Sequence, residues 1–210
     1  MSAFDGMNPY EIAALNTREA LTAFWGHPHI DEGYYTPARL EIYRAVADIA
    51  LTLQKPGRNA IVDVGCGDGE MLKTLQERFR GRDAMEGYDW APTAIERARR
   101  KAPFASFGVA DFMAGDLDHL SLAGFDLVLC IEVLEHVQDT EKALDILCSL
   151  ARHDGYVLLT VPNGAWDTWH GHVHRWTMDE LRELLAGQGL VRMGAFGGDG
   201  YLAAILRRGA

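Results

Sequence analysis

An α/β fold with a largely parallel sheet is what this chain predicts, on three observations. From about residue 60, short apolar runs alternate with amphipathic stretches, the rhythm of repeated strand–helix units. A glycine-rich turn, Gly65-Cys66-Gly67-Asp68-Gly69, joins the first of those strands to a helix. Two terminal strands flank Gly197-Gly198-Asp199-Gly200, a hairpin signal that places an antiparallel pair at a sheet edge.

The elements follow in order. Helices are expected over 9–24 and 37–53, with 27–36 a loop between them. A strand over 60–64 leads through the glycines into a helix over 68–80. A strand over 85–89 follows, then a helix to about 101 with Pro92 in its first turn, where proline is tolerated. The strand over 106–110 is weaker, and that over 126–131 is apolar enough to lie mid-sheet. The helix over 139–150 sets Ala143, Leu147 and Leu150 on one face. After a strand over 156–161, Thr177-x-x-Glu180 is a capping box opening a helix to about 186. Strands over 190–196 and 201–207 complete the chain.

At 210 residues the chain reads as a single domain, with 1–57 a helical cover and 58–210 the core fold. Thirty acids against 20 Lys plus Arg give a formal net charge of -10, which argues against gripping long nucleic acid through its phosphates. Its apolar runs fall far short of the ~20 residues that span a bilayer. Asp5, Glu11, Arg18 and Glu19 interrupt any secretory signal, and Cys66, Cys130 and Cys148 form no close pair. A reduced, cytoplasmic protein is expected.

Asp63 sits inside an apolar strand, where an acid is costly unless something polar meets it. The glycines after it let a ligand approach the backbone at a helix N-terminus. Glu70 stands where a dinucleotide fold would have Gly or Ala, which disfavours a pyrophosphate. Asp89, with Trp90 beside it, closes the second strand at the distance of an acid that accepts from both ribose hydroxyls. Asp116-Leu117, before the fourth strand, suits an adenine, with Asp111 and Asp118 as competitors.

In their order and spacing, Asp63-x-Gly65-x-Gly67-x-Gly69, Asp89, Asp116-Leu117 and Phe125-Asp126-Leu127-Val128 resemble the class I S-adenosylmethionine-dependent methyltransferases over about 58–206. The resemblance implies a Rossmann-like, doubly wound sheet of seven strands, the last antiparallel, with helices on both faces. It implies S-adenosylmethionine at the carboxyl ends of strands one, two and four. The methionine amine would lie near Asp63 and Gly65, with Cys66 and Gly67 giving backbone contacts and Ile131 closing the fourth strand against the site.

The acceptor would arrive at Glu132-Val133-Leu134-Glu135-His136, beyond the fourth strand. A hydroxyl needs a base there, and His136 is the candidate, with Glu135 orienting it. If 133–136 forms a helical turn, Glu132, Glu135 and His136 share a face, and His172 would complete a set suited to Mg, Mn or Zn. That set looks like the metal site of RNA 3′-terminal 2′-O-methyltransferases. The same E-x-x-E-H also resembles ubiquinone-pathway O-methyltransferases, so a metal is not the expectation. Trp166, Trp169 and Trp176 suggest a lid, an aromatic pocket or core packing.

The chain is therefore expected to methylate a small-molecule hydroxyl, an amine second. The alternatives are metal-dependent methylation of a short RNA 3′ end, or a non-catalytic cofactor-binding regulatory subunit. Acceptor identity and oligomeric state are not legible.

Overall fold

The computed structural model describes residues 4, 6–79, 83–115 and 124–209. Its sheet has seven strands: β1 (Ala60–Val64), β2 (Ala84–Asp89), β3 (Ser106–Val109), β4 (Phe125–Ile131), β5 (Ala151–Pro162), β6 (Leu190–Phe196) and β7 (Tyr201–Arg207). They are ordered β3-β2-β1-β4-β5-β7-β6. The first five strands pair in parallel, and β7 runs antiparallel to both β5 and β6. The expected terminal hairpin and mid-sheet β4 are present, and every residue of β4 is buried.

Period-2 alternation divides the apolar residues between two layers. Val62, Val128, Cys130, Val157 and Leu159 face α7 (Thr140–Leu150) and α8 (Met178–Leu184). Ile61, Leu127, Leu129 and Leu158 face α4 (Pro37–Leu51), α5 (Glu70–Arg78) and α6 (Pro92–Lys101). Asp126, an acid within this apolar strand, accepts the Ala60 N–H at 3.0 Å and pairs with Arg152. Cys130 is fully buried and packs as a small hydrophobe.

The N-terminal region departs from expectation. The helix expected over 9–24 is two, α1 (Pro9–Ala13) and α2 (Arg18–Trp25). Asn16 takes a left-handed φ of 49° between them, and Thr17 caps the second by accepting the Ala20 N–H. Asparagine tolerates that conformation, and a Thr cap restarts a helix as readily as it begins one. A short α3 (Ile30–Tyr34) occupies the expected loop. Ile12, Phe24, Trp25 and Ile30 pack on Ala91 and Ala94, laying this layer over the carboxyl ends of β1 and β2. No described helix is long and apolar enough to cross a membrane.

Candidate functional site

A cavity of about 980 Å³ lies between the N-terminal helices and the carboxyl ends of β1, β2 and β4. Parallel register brings those ends together, with Asp63 opposite Gly87 on one side and Leu129 on the other.

Asp63 is 1% exposed, and its Oδ1 has no hydrogen-bond partner. Burial, with Asp89 nearby, pushes its carboxyl up to about 7. Asp89 accepts the Gly67 N–H at 3.0 Å and the Ala91 N–H at 2.9 Å. Burial outweighs these bonds and raises it to about 6. Trp90 and Ile131 also line the cavity. Gly65, Gly67 and Gly69 all have positive φ, of 77°, 52° and 82°. A Cβ on Gly65 would come 2.4 Å from Val133, and one on Gly67 would come 2.8 Å from the Trp25 ring. The glycines thus admit protein packing as well as backbone freedom. The Gly65 and Cys66 N–H groups donate to Tyr88 O, so both are engaged with β2. Glu70 is satisfied by Lys101 at 2.9 Å and Lys73 at 3.2 Å.

Asp116 and Leu117, expected at an adenine, lie outside the described residues, as does Asp118. The competitor Asp111 caps a 3₁₀ turn at Phe112–Ala114, accepting from Met113 and Ala114, and this turn lines the cavity.

At the cavity's other end a 3₁₀ turn, Leu134–His136, follows β4. It is too short to put Glu132 on the face of Glu135 and His136. Glu132 has a φ of 58° and accepts the Thr160 hydroxyl at 2.9 Å instead. The loop after β5 is pinned back by the Val173 and His174 N–H groups, which both donate to Glu135 O. That clamp sets His172 beside the turn, its Nε2 3.9 Å from Glu135 Oε1, the distance of His136 Nε2 as well. One ligand atom from each of the three residues lies within 4.8 Å of the others.

Glu135 is buried with both carboxylate oxygens unpartnered, and burial followed by Glu132 raises it well above the usual range. Burial, then His172, lowers His136 to about 4. His172 Nδ1 lies 2.6 Å from Asp167 Oδ2. His170 is exposed, and His174 stacks on Trp176. The three histidines of this loop therefore do not converge. Trp169 sets its edge against His136 and His172, Trp176 packs on the core, and Trp166 stands 70% exposed at the cavity wall.

Arg39 was not singled out by the sequence. Its guanidinium lines the cavity, donates to the Tyr34 hydroxyl at 3.1 Å and has no carboxylate within ion-pair distance among the described residues. One signal was there: it occupies the first turn of α4, where the helix dipole disfavours a cation. Tyr35 reaches Asp68 through its hydroxyl, under Lys101 at 4.0 Å from its ring, and so ties the cover to the core.

A family model described as a methyltransferase domain matches residues 36–191. The chain belongs to the class I S-adenosylmethionine-dependent methyltransferases. Among curated relatives of this methyltransferase, a ubiquinone biosynthesis O-methyltransferase of Cereibacter sphaeroides is 32% identical over 177 residues, covering 78% of this chain and 67% of that protein. Its counterpart from Neisseria meningitidis serogroup C is 29% identical, covering 49% of this chain and 44% of that protein. The chain spans only 44%, 51% and 59% of the length of three such relatives. The N-methyltransferase NodS from Bradyrhizobium japonicum WM9, solved with S-adenosyl-L-homocysteine, superposes with a TM-score of 0.72. The match covers 93% of this chain and 100% of that one at 19% identity, a likeness of fold.

Proposed function

We propose that this methyltransferase moves the methyl group of S-adenosylmethionine to a hydroxyl of a small-molecule acceptor, with an amine the second choice. One observation carries the reading: a covered cavity has, at each end, a buried acid with an unpartnered oxygen. Asp63, with Asp89 near it, lies toward β1 and β2, and Glu135, with His136, lies beyond β4.

The first end fits the cofactor. The partnerless Asp63 Oδ1 is a natural acceptor for the methionine ammonium, and Arg39 is a cation for its carboxylate. Asp89 keeps lone pairs for ribose hydroxyls beyond its two backbone bonds, with Trp90 and Ile131 as walls. Gly65, Cys66 and Gly67 offer backbone carbonyls, since their N–H groups are engaged. Asp116 and Leu117 are proposed at the adenine. When bound, the cofactor supplies an electrophilic methyl on a sulfonium. The chain's part is to orient it, exclude water and hold the acceptor in line.

The second end takes the acceptor, with Glu135 and His136 as the catalytic pair. Residues 1–57 act as the cover and 58–210 as the core of one unit. A ubiquinone-pathway name on the curated relatives supports an oxygen acceptor. The net charge of -10 weighs against long nucleic acid.

The test is a transfer assay with methyl-labelled S-adenosylmethionine over phenols, sugars, amines and short RNAs. Label on a phenol or sugar oxygen supports the proposal. Label confined to amines or to RNA 3′ ends replaces it.

A further inference from the structure

A second cavity, of about 650 Å³, lies between α4 and the β6–β7 hairpin. Tyr10, Tyr34, Arg39 and Tyr201 line both it and the first cavity, so the two share a wall. Tyr201 pairs with Pro162 at the carboxyl end of β5, two residues beyond the Thr160 that holds Glu132. The shared wall therefore stands at the acceptor end. Space in the first cavity is limited: its 980 Å³ must take cofactor and acceptor together, whereas one drug-sized ligand alone occupies a pocket of ~300–1,000 Å³. Beside the cofactor it has room for the reacting head of an acceptor and little more.

We propose that the second cavity is a distal acceptor subsite, taking a flat, neutral aromatic ring that the acceptor carries beyond its methylated group. The subsite rests on the methyl-transfer reading, since a distal part presupposes an acceptor.

Shape, surface and charge each support it. On α4, Ala38, Ile42 and Ala45 fall at i, i+4 and i+7 and turn one helix face to the cavity, two of the three being too small to fill it. Across from them, a Cβ on Gly197 would come 3.9 Å from Ile42 Cγ1, whereas one on Gly198 would meet nothing within 4 Å. The space between helix and hairpin is thus a slot, narrow at Gly197 and open at Gly198. Rings wall it: Phe196 and Tyr201 on the hairpin, their centroids 5.7 Å apart, with Tyr10 and Tyr34 on the cover. Aromatic rings pack offset or edge-on at ~4.5–7 Å between centroids, so such walls favour another ring over a flexible polar chain. The charged side chains lining the slot are Arg39 and Glu41, one of each sign, which gives an ion no net attraction. Arg39 also lies over the Tyr34 ring at 4.3 Å and donates to its hydroxyl, so it stays on the shared wall, within reach of the first cavity.

The experiment is calorimetric titration of phenol and of 4-phenylphenol into the full chain saturated with S-adenosylhomocysteine, beside a titration of S-adenosylhomocysteine itself. Wild type is expected to bind 4-phenylphenol at least about tenfold more tightly than phenol, the effect of burying one further ring. Ala45→Trp fills the slot and should remove most of that preference, leaving phenol and S-adenosylhomocysteine within about twofold of wild type. The cofactor titration also reports folding, and Ala38→Trp, at the exposed start of α4, serves if Ala45→Trp does not fold. Phe196→Ala removes one ring wall and should weaken 4-phenylphenol about three- to tenfold. A preference that survives the tryptophan variants puts the second ring elsewhere and overturns the subsite. So does wild type that binds S-adenosylhomocysteine but does not prefer 4-phenylphenol, and this leaves the methyl-transfer reading standing. Wild type that binds no S-adenosylhomocysteine overturns that reading, and the subsite with it.

Discussion

Lowering the pH from 8 to 6 should weaken cofactor binding through Asp63, and the size of the effect follows from its burial. The carboxyl is pushed up to about 7 in the empty protein, against about 3.9 in an unfolded chain. A raised folded pKa means that the native state binds the proton more tightly. Asp63 therefore adds no penalty below about pH 4 and destabilises the empty protein progressively as pH rises to about 7, by about 4 kcal/mol in all. A bound ammonium reverses the preference, because it requires the ionised carboxylate. At pH 6 only about a tenth of Asp63 is ionised, so affinity should fall about tenfold between pH 8 and 6. The assay is calorimetry with S-adenosylhomocysteine at pH 6, 7 and 8, in buffers of different ionisation enthalpy to count protons released. Asp63→Asn should bind about 10- to 100-fold more weakly at pH 8, having lost a charge-assisted bond, and should lose most of the pH dependence. Flat affinity in wild type, or a wild-type pH profile retained by Asp63→Asn, would refute the assignment of the amine to Asp63.

Further outcomes are expected elsewhere. Arg39→Met should weaken S-adenosylhomocysteine at least tenfold while leaving thermal stability near wild type, read by calorimetry and melting. Gly65→Ala forces a positive φ and a Cβ 2.4 Å from Val133 Cγ2, and should cost roughly 1–3 kcal/mol in denaturant unfolding as well as cofactor affinity. Leu129→Ala, fully buried at the centre of the sheet, should cost roughly 2–5 kcal/mol by the same measurement. Thr36→Ala removes the cap that accepts the Arg39 N–H at 3.2 Å, and should cost about 1 kcal/mol.

The strand layout was legible because buried parallel strands announce themselves as apolar runs between turn signals; β1, β6 and β7 match residue for residue. The break at Asn16 was not. Its effect is a single left-handed residue, and the apolar pattern continues through it. The short α3 lacks a side-chain cap, so nothing marked its start. At the site, Asp63 stood out because an acid in a buried strand needs a reason. Glu135, His136 and His172 were each read, but their convergence depends on two backbone bonds from Val173 and His174 to Glu135 O, which spacing cannot reveal. Glu132, close by in sequence, stays out because the 3₁₀ turn is short and Thr160 holds its carboxylate, while Asp167, five residues from His172, faces that imidazole.

A crystal structure with S-adenosylhomocysteine tests the account most directly. Its ammonium should lie on Asp63, its ribose hydroxyls on Asp89, and its sulfur should face Glu135 and His136 across a gap sized for the acceptor. Cofactor bound away from Asp63 and Asp89, or with its sulfur turned from the Glu135–His136 end, would contradict it.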